Sequence, residues 1–142
     1  MPLWDSKKEL GVCPGWYDNV AKTMDGQMDY ERIPNSGGLC LMVGGKGVPY
    51  LSHPLDAFQM PRLTLLKTDV QQADLRVLVG ARETIKRTRP VICFEYECTP
   101  GASRNFSGDA LEDSYEFFRG LNYDVTQLCK RDCGGDFVAV PR

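Results

Sequence analysis

The sequence predicts an α/β fold, a partial doubly wound and mostly parallel sheet that closes with an antiparallel hairpin. Residues 65–95 have the pattern of a strand, a tight turn, an amphipathic helix and a second strand. Leu63–Thr68 is a short apolar-rich run and Val91–Phe94 is a continuous apolar run, and short apolar runs are typical of strands buried on both faces. Together these elements predict a βαβ unit, in which ligands bind at the carboxyl ends of the strands.

A single amphipathic helix of about four turns is predicted between the two strands. Its apolar residues recur at spacings of three and four, and they are Ala73, Val77, Leu78, Ala81 and Ile85. Lys86, Arg87 and Arg89 follow at the C-terminal end of this helix, where positive charge complements the helix dipole.

The N-terminal part of the chain is predicted to be an irregular arm. Residues 1–22 contain scattered prolines, glycines and aromatic residues without helix or strand periodicity. Residues 23–142 are assigned to one α/β domain, because a chain of 142 residues has the usual size of a single domain. Short strands between Asp25 and Val48 are expected to form an antiparallel hairpin, with Gly44–Gly47 as a hairpin turn.

The C-terminal part predicts a third helix and two closing strands. Asp109 and Glu112 have the spacing of a helix N-cap and its capping-box partner. The buried stripe of this helix is expected to consist of Leu111, Tyr115, Phe118 and Leu121. The closing strands are expected at Val125–Cys129 and Phe137–Val140.

Composition excludes several classes of function. The formal net charge is −2 and there is no long basic run, so nucleic acid is not an expected partner. There is no signal peptide and no apolar stretch long enough to span a membrane, so a soluble protein of unknown compartment is expected. The single histidine, His53, has no visible catalytic partner in the sequence.

Six cysteines are scattered along the chain without the paired spacing of a zinc site, and no metal is predicted. They are Cys13, Cys40, Cys93, Cys98, Cys129 and Cys133. We expect free cysteines, which behave as small apolar residues when buried, and a disulfide among the loop cysteines is the alternative.

The central segment resembles the signature of the FkbM-type family of S-adenosylmethionine (SAM) dependent O-methyltransferases. That signature has a strand of the form LLKIDVEGAE, a helix ending in GA.E.L and a strand of the form RP.I.FE. The matching residues are Leu65, Leu66, Lys67, Asp69, Val70, Ala73, Leu75, Val77, Leu78, Gly80, Ala81, Glu83, Arg89, Pro90, Phe94 and Glu95. The resemblance covers residues 20–141, and Pro54–Phe58 is similar to the TLD segment that precedes the signature strand.

Two departures from the family pattern concern the cofactor. Gln71 and Gln72 replace the glutamate and glycine of the signature turn. The resemblance also implies a SAM-binding half with a glycine-rich turn, and none is found between Met1 and Val20. The cofactor-binding residues are therefore unknown, and no cofactor is expected for the isolated chain, whereas SAM is expected if the chain is an enzyme.

The carboxyl ends of the two signature strands supply the candidate site residues. Asp69 is the candidate catalytic residue, which would orient a substrate hydroxyl or take up its proton, or would instead cap the following helix. Lys67, Gln71 and Glu95 are the further substrate-facing candidates. A salt bridge is favoured for Lys67, and Glu95 and Glu97 are expected as solvated loop carboxylates.

Two functional classes follow from the resemblance. The first is a truncated, non-catalytic descendant of the methyltransferase fold that serves as a structural or interaction subunit, with other protein chains as partners. The second is an active O-methyltransferase of a sugar or secondary-metabolite hydroxyl, completed by another chain. Without a first half, the signature strand is expected to leave an unpaired sheet edge.

Overall fold

The computed structural model describes residues 5–7, 9–13, 40–43, 50–98, 108–132 and 134–142, with residues 9–13, 40–43 and 50 described by backbone alone. The elements of these residues follow in the order β1 (Glu9–Cys13), β2 (Cys40–Val43), β3 (Tyr50–Leu51), a 3-10 helix (Leu55–Phe58), β4 (Leu65–Lys67), α1 (Asp74–Val79), α2 (Arg82–Thr88), β5 (Val91–Glu97), α3 (Leu111–Gly120), β6 (Tyr123–Arg131) and β7 (Gly134–Pro141).

The main sheet has four strands in the order β4-β5-β7-β6. Strands β4 and β5 are parallel, with Leu66 opposite Ile92, as predicted for the βαβ unit. Strand β7 is antiparallel to both β5 and β6, which confirms the closing hairpin. The α/β class is therefore confirmed, and the sheet is parallel at its β4 end only. The doubly wound arrangement stays a prediction.

A second, smaller sheet lies in the first half of the chain. Strand β1 lies between β2 and β3 and is antiparallel to both. Residues 9–13 thus form a strand within the segment that was predicted to be irregular, while the domain boundary at residue 22 stays a prediction. Gly44–Gly47 and residues 25–39 lie outside the described residues. The described strands on either side of the glycine cluster, β2 and β3, both pair with β1.

The predicted four-turn helix is two shorter helices that meet at Gly80 and Ala81. The second helix, α2, has no side-chain cap of its own at Ala81. Asp56 of the 3-10 helix supplies one instead, because its carboxylate accepts the backbone N–H groups of Glu83 and Thr84 at 3.0 and 2.7 Å. The Asp56 backbone N–H also donates to the Gly80 carbonyl at 2.9 Å. A residue outside the helix therefore allows α2 to begin at this point.

Helix α3 confirms the predicted stripe but not the predicted cap. Phe118 and Leu121 are buried, and Leu111 and Tyr115 pack against the same core. The N-cap is Ala110, whose N–H donates to Asp113 at 2.6 Å. Asp109 is buried and accepts a hydrogen bond from Arg76 Nε at 3.1 Å, so it fixes the segment before α3 to α1 instead of capping α3.

All three helices pack on one face of the main sheet. The core joins α1, α2 and α3 to the inward side chains of β5 and β7, among them Leu78, Ile85, Ile92, Phe94, Phe118, Phe137 and Ala139. On the opposite face Leu65 is 58% exposed and Val91 is 36% exposed. The expectation that both signature strands are buried on both faces is wrong for the described residues, because the described helices cover one face only.

The cysteines whose side chains are described differ in their bonding state. Cys98 is disulfide-bonded, so the expectation of free cysteines is wrong for this residue. Cys93 and Cys129 are free, and Cys93 is half-buried at the centre of β5. None of the helices in the described part of the chain is both long and apolar enough to cross a membrane.

Replacement of Asp56 by alanine is expected to lower the free energy of unfolding by about 2 kcal/mol, because two N–H groups at the start of α2 lose their acceptor. Asp56→Asn is the matched control, since its amide oxygen retains one acceptor and the loss is expected to be about half as large. Urea denaturation of the three proteins measures both values. Equal stability of wild type and the alanine variant would contradict this assignment.

Candidate functional site at the carboxyl ends of β4 and β5

The carboxyl ends of β4 and β5 lie next to each other, as the parallel pairing requires. Asp69 follows β4, and its carboxylate forms an ion pair of 3.2 Å with Lys67. The predicted salt bridge of Lys67 is thus confirmed, but it lies at the surface, with the two side chains 69% and 50% exposed. Asp69 does not cap the following helix, because the N-cap of α1 is Ala73 and has no side-chain cap.

Asp74, which sequence reasoning missed, is the buried carboxylate of this site. Its two oxygens accept the backbone N–H groups of Val70 at 3.4 Å and of Glu95 at 3.3 Å. Burial raises the pKa of the Asp74 carboxyl above the ordinary value of an aspartate. The side chain therefore connects the turn after β4 to the end of β5. Asp74 stands at the last position of the LLKIDVEGAE form, where the family pattern also has a carboxylate, and that was the available signal.

Arg131 of β6 forms ion pairs with three carboxylates, two at the end of β5 and one on β7. It hydrogen-bonds to Glu95, to Glu97 at 2.9 Å and to Asp136 at 3.1 Å. Burial raises the pKa of Glu95, while the hydrogen bond from Arg131 acts in the opposite direction. The hydrogen bond with Glu95 in turn raises the pKa of the Arg131 guanidinium. Glu95 and Glu97 are therefore ion-paired residues of β5, and the expectation of solvated loop carboxylates is wrong.

The turn between β4 and α1 has an unusual backbone. Gln71 and Gln72 have φ angles of 50° and 71°, in the left-handed region that favours glycine. Gln72 is also buried. Gln72 thus places a side chain at positive φ in the position where the family pattern has glycine.

The structure brings the site residues predicted from the sequence to the carboxyl ends of β4 and β5. Asp69 and Glu95 are close enough that the negative charge of Asp69 contributes to the raised pKa of Glu95. Among the described residues, no group of three or more histidine, cysteine, aspartate or glutamate side chains is placed to hold a metal ion. The chemistry available at these strand ends is that of the half-exposed carboxylate of Asp69 beside Lys67, with the buried Glu95 paired to Arg131. A half-exposed carboxylate suits contacts with hydroxyl groups and with cations.

The described residues at the carboxyl ends of β4 and β5 do not fit SAM. The amino-acid and ribose groups of SAM need to approach a turn of the protein closely. Such a turn has to offer free backbone N–H groups. Here the Val70 N–H donates to Asp74, and Gln72 carries a Cβ atom where the family pattern has glycine. No step through SAM is therefore derived from these residues.

A family model confirms the class of protein that this βαβ unit defines. The model of the methyltransferase FkbM domain matches residues 50–129. Because the match covers more than half of the 142 residues, the chain belongs to the FkbM methyltransferase domain family. No curated protein and no solved structure matches the chain.

Glycine at position 72 is expected to be better accommodated than alanine. Gln72→Gly and Gln72→Ala both remove the buried side chain, but only alanine keeps a Cβ at a positive φ. The glycine variant is expected to be more stable than the alanine variant by about 1 kcal/mol. Thermal or urea denaturation measures the difference. If alanine is the more stable of the two, the left-handed geometry at this position is wrong.

The titration of Asp74 is expected to affect stability in a defined direction. Its pKa in the folded protein lies above the ordinary aspartate value of 3.8, so the folded state favours the protonated form more than the unfolded state does. The stabilisation of the folded state that comes from protonated Asp74 is complete below pH 3.8, and it is lost as the pH rises through the raised pKa. Asp74→Asn removes this titration, so the stability difference between variant and wild type is expected to shift in favour of the variant as the pH rises.

Urea denaturation between about pH 3.5 and pH 7 measures this shift. Asp124→Asn is the control, because Asp124 is an exposed carboxylate that pairs with Arg142. A constant difference between Asp74→Asn and wild type over this pH range would contradict the assignment of Asp74.

Proposed function

We propose that this chain is a non-catalytic FkbM-type methyltransferase domain that does not bind SAM appreciably on its own and acts as an interaction or structural subunit of a larger assembly. The observation that carries the proposal is the turn after β4. Asp74 accepts the Val70 N–H there, and Gln71 and Gln72 replace the open turn of the family pattern. The family pattern also has a carboxylate at position 74, so the departure that supports the proposal is Gln72, which places a side chain at positive φ where the pattern has glycine.

The unpaired side of strand β4 supports the proposed role as an interaction subunit. Strand β4 is the edge strand of the main sheet in the described residues, and β5 is its only neighbour there. An edge strand presents unpaired N–H and C=O groups that a strand from another chain can use. The partner class expected at this edge is therefore another polypeptide.

The alternative function is an O-methyltransferase completed by another chain. One observation favours it: Asp69 remains half exposed at the end of β4, next to Lys67. An exposed ion pair contributes little to stability, so a substrate hydroxyl could replace Lys67 at the Asp69 carboxylate at low cost. Asp69 would then orient the hydroxyl or accept its proton, and Glu95 and Lys67 would line the same edge. The methyl donor would be held by the other chain.

Isothermal titration of the purified chain with SAM, and separately with its demethylated product, is expected to give no saturable heat. A cooperative thermal unfolding transition of the same sample establishes that the chain is folded. Stoichiometric binding of either compound by the folded chain would overturn the proposal and favour the enzyme. In that case Asp69→Asn is the variant that tests the role of the carboxylate.

A further inference from the structure

The face of the main sheet opposite the helices has a regular arrangement of side chains. Successive residues of a strand point to opposite faces, so Val91, Cys93, Glu95 and Glu97 share the face that the described helices leave uncovered. We call this surface the open face. It consists of an apolar row near the start of β5, an acidic row near its end and Cys93 between them.

The apolar row crosses three strands. Leu65 of β4 is opposite Val91 of β5 in the parallel register. Ala139 is the partner of Ile92 on the core face, so the next residue of β7, Val140, lies beside Val91 on the open face. The exposed fractions of Leu65, Val91 and Val140 are 58%, 36% and 40%. Three adjacent exposed aliphatic residues on a sheet that contains a parallel pair indicate a surface that another element covers.

The acidic row has more negative than positive charge. Glu95 is opposite Asp136 in the register, and Glu97 follows on the same face. Arg131 contacts all three carboxylates, which leaves a formal charge of −2 on the group. Glu95 is buried beneath this row, whereas the side chains of Glu97 and Asp136 are 32% and 44% exposed. Asp136 lies at the level of Glu95 in the register, and it is the carboxylate that a cationic group of a partner can reach there.

We propose that the open face binds an amphipathic helix of another protein chain, with apolar residues on the apolar row and a cationic residue at the acidic row. This inference rests on the proposed interaction role and names the partner's chemistry. A helix fits because helices cover the faces of sheets with parallel strands, and because a cation at one end matches the charge of the acidic row.

The described helices of a second copy of this chain cannot supply such a helix. Their apolar side chains are already buried in the core, as Leu78 of α1, Ile85 of α2 and Phe118 of α3 show. Unfolding one of them to serve a second copy would expose the core that it now fills. Between the described helices of a second copy and a separate protein with its own amphipathic segment, these observations favour the separate protein.

The register also sets the spacing of the partner's residues. Val91 and Glu95 are four residues apart in β5, which corresponds to about 13 Å along the strand. A helix that lies along β5 covers this distance with about nine residues. The partner is thus expected to place its basic residue roughly two and a half turns from its central apolar anchor.

The free thiol of Cys93 provides a native reporter for this test. Cys93 lies opposite Lys67 and Val138, between the two rows. The probe is a synthetic peptide of about five helical turns, with a leucine stripe and arginines at the spacing given above. Alkylation of Cys93 in the full chain is followed by peptide mapping with mass spectrometry. The rate is expected to fall about tenfold when the peptide is present at about ten times its Kd.

Two controls separate the apolar from the charged part of the contact. A peptide with glutamates in place of its arginines is expected to protect Cys93 much less, and added salt is expected to weaken protection by the arginine peptide. Leu65→Asp is expected to abolish protection. Leu128→Asp is the matched variant, because Leu128 is 64% exposed on β6 at the other edge of the sheet, and it is expected to leave protection unchanged.

Several results would overturn the inference. One is a Cys93 thiol that does not react in the isolated folded chain, since residues of the chain itself would then cover the open face. Equal protection by both peptides, or protection that survives Leu65→Asp, would have the same consequence, as would a dimer that Leu65→Asp converts to a monomer. The SAM titration is a separate readout, so saturable SAM binding would refute the proposed function while the Cys93 result still tests the open face.

Discussion

The carboxylate of Asp74 forms the connection between the two strands that define this domain. It accepts one N–H from the turn after β4 and one from Glu95 at the end of β5. A buried carboxylate is tolerated only where such donors surround it, so the turn and the strand end constrain each other. The same connection uses the N–H group of Val70 in the turn after β4.

Polar groups from distant parts of the chain hold the start of α2 and both ends of α3. Asp56 caps the start of α2, and Arg89 donates to the Asn122 carbonyl, at 2.9 Å, just beyond the end of α3. Arg76 fixes the segment before α3 through Asp109. These contacts make the helix ends depend on the tertiary fold, because helices of this length are not stable alone. Asp56 lies in the segment that resembles the TLD pattern, which gives that pattern a structural reason.

The parts of the fold that periodicity determines could be predicted from the sequence. The stripe of α3 follows from spacing, and the resemblance identified the family and implied the closing hairpin. The break at Gly80 could not be predicted, because it depends on Asp56 from another segment. Asp74 was missed because a single acidic residue at the start of a helix looks like an ordinary surface residue until the end of β5 is placed beside it. Arg131 was missed because its three partners come together only in the register of β5, β6 and β7.

Successive side chains of β5 lie on opposite faces of the sheet, so the strand contributes to two different surfaces. Ile92, Phe94 and Tyr96 fill the core, and Phe94 stacks on Phe137 with ring centroids 5.1 Å apart. A strand that served only this core would gain nothing from aliphatic or acidic residues on its other face. Val91 nevertheless exposes apolar area, and Glu97 exposes a carboxylate. The exposed apolar area is unfavourable in isolation and becomes favourable when a complementary surface covers it. The physical argument for a protein partner therefore comes from the residues of β5 that the fold of the described chain does not need.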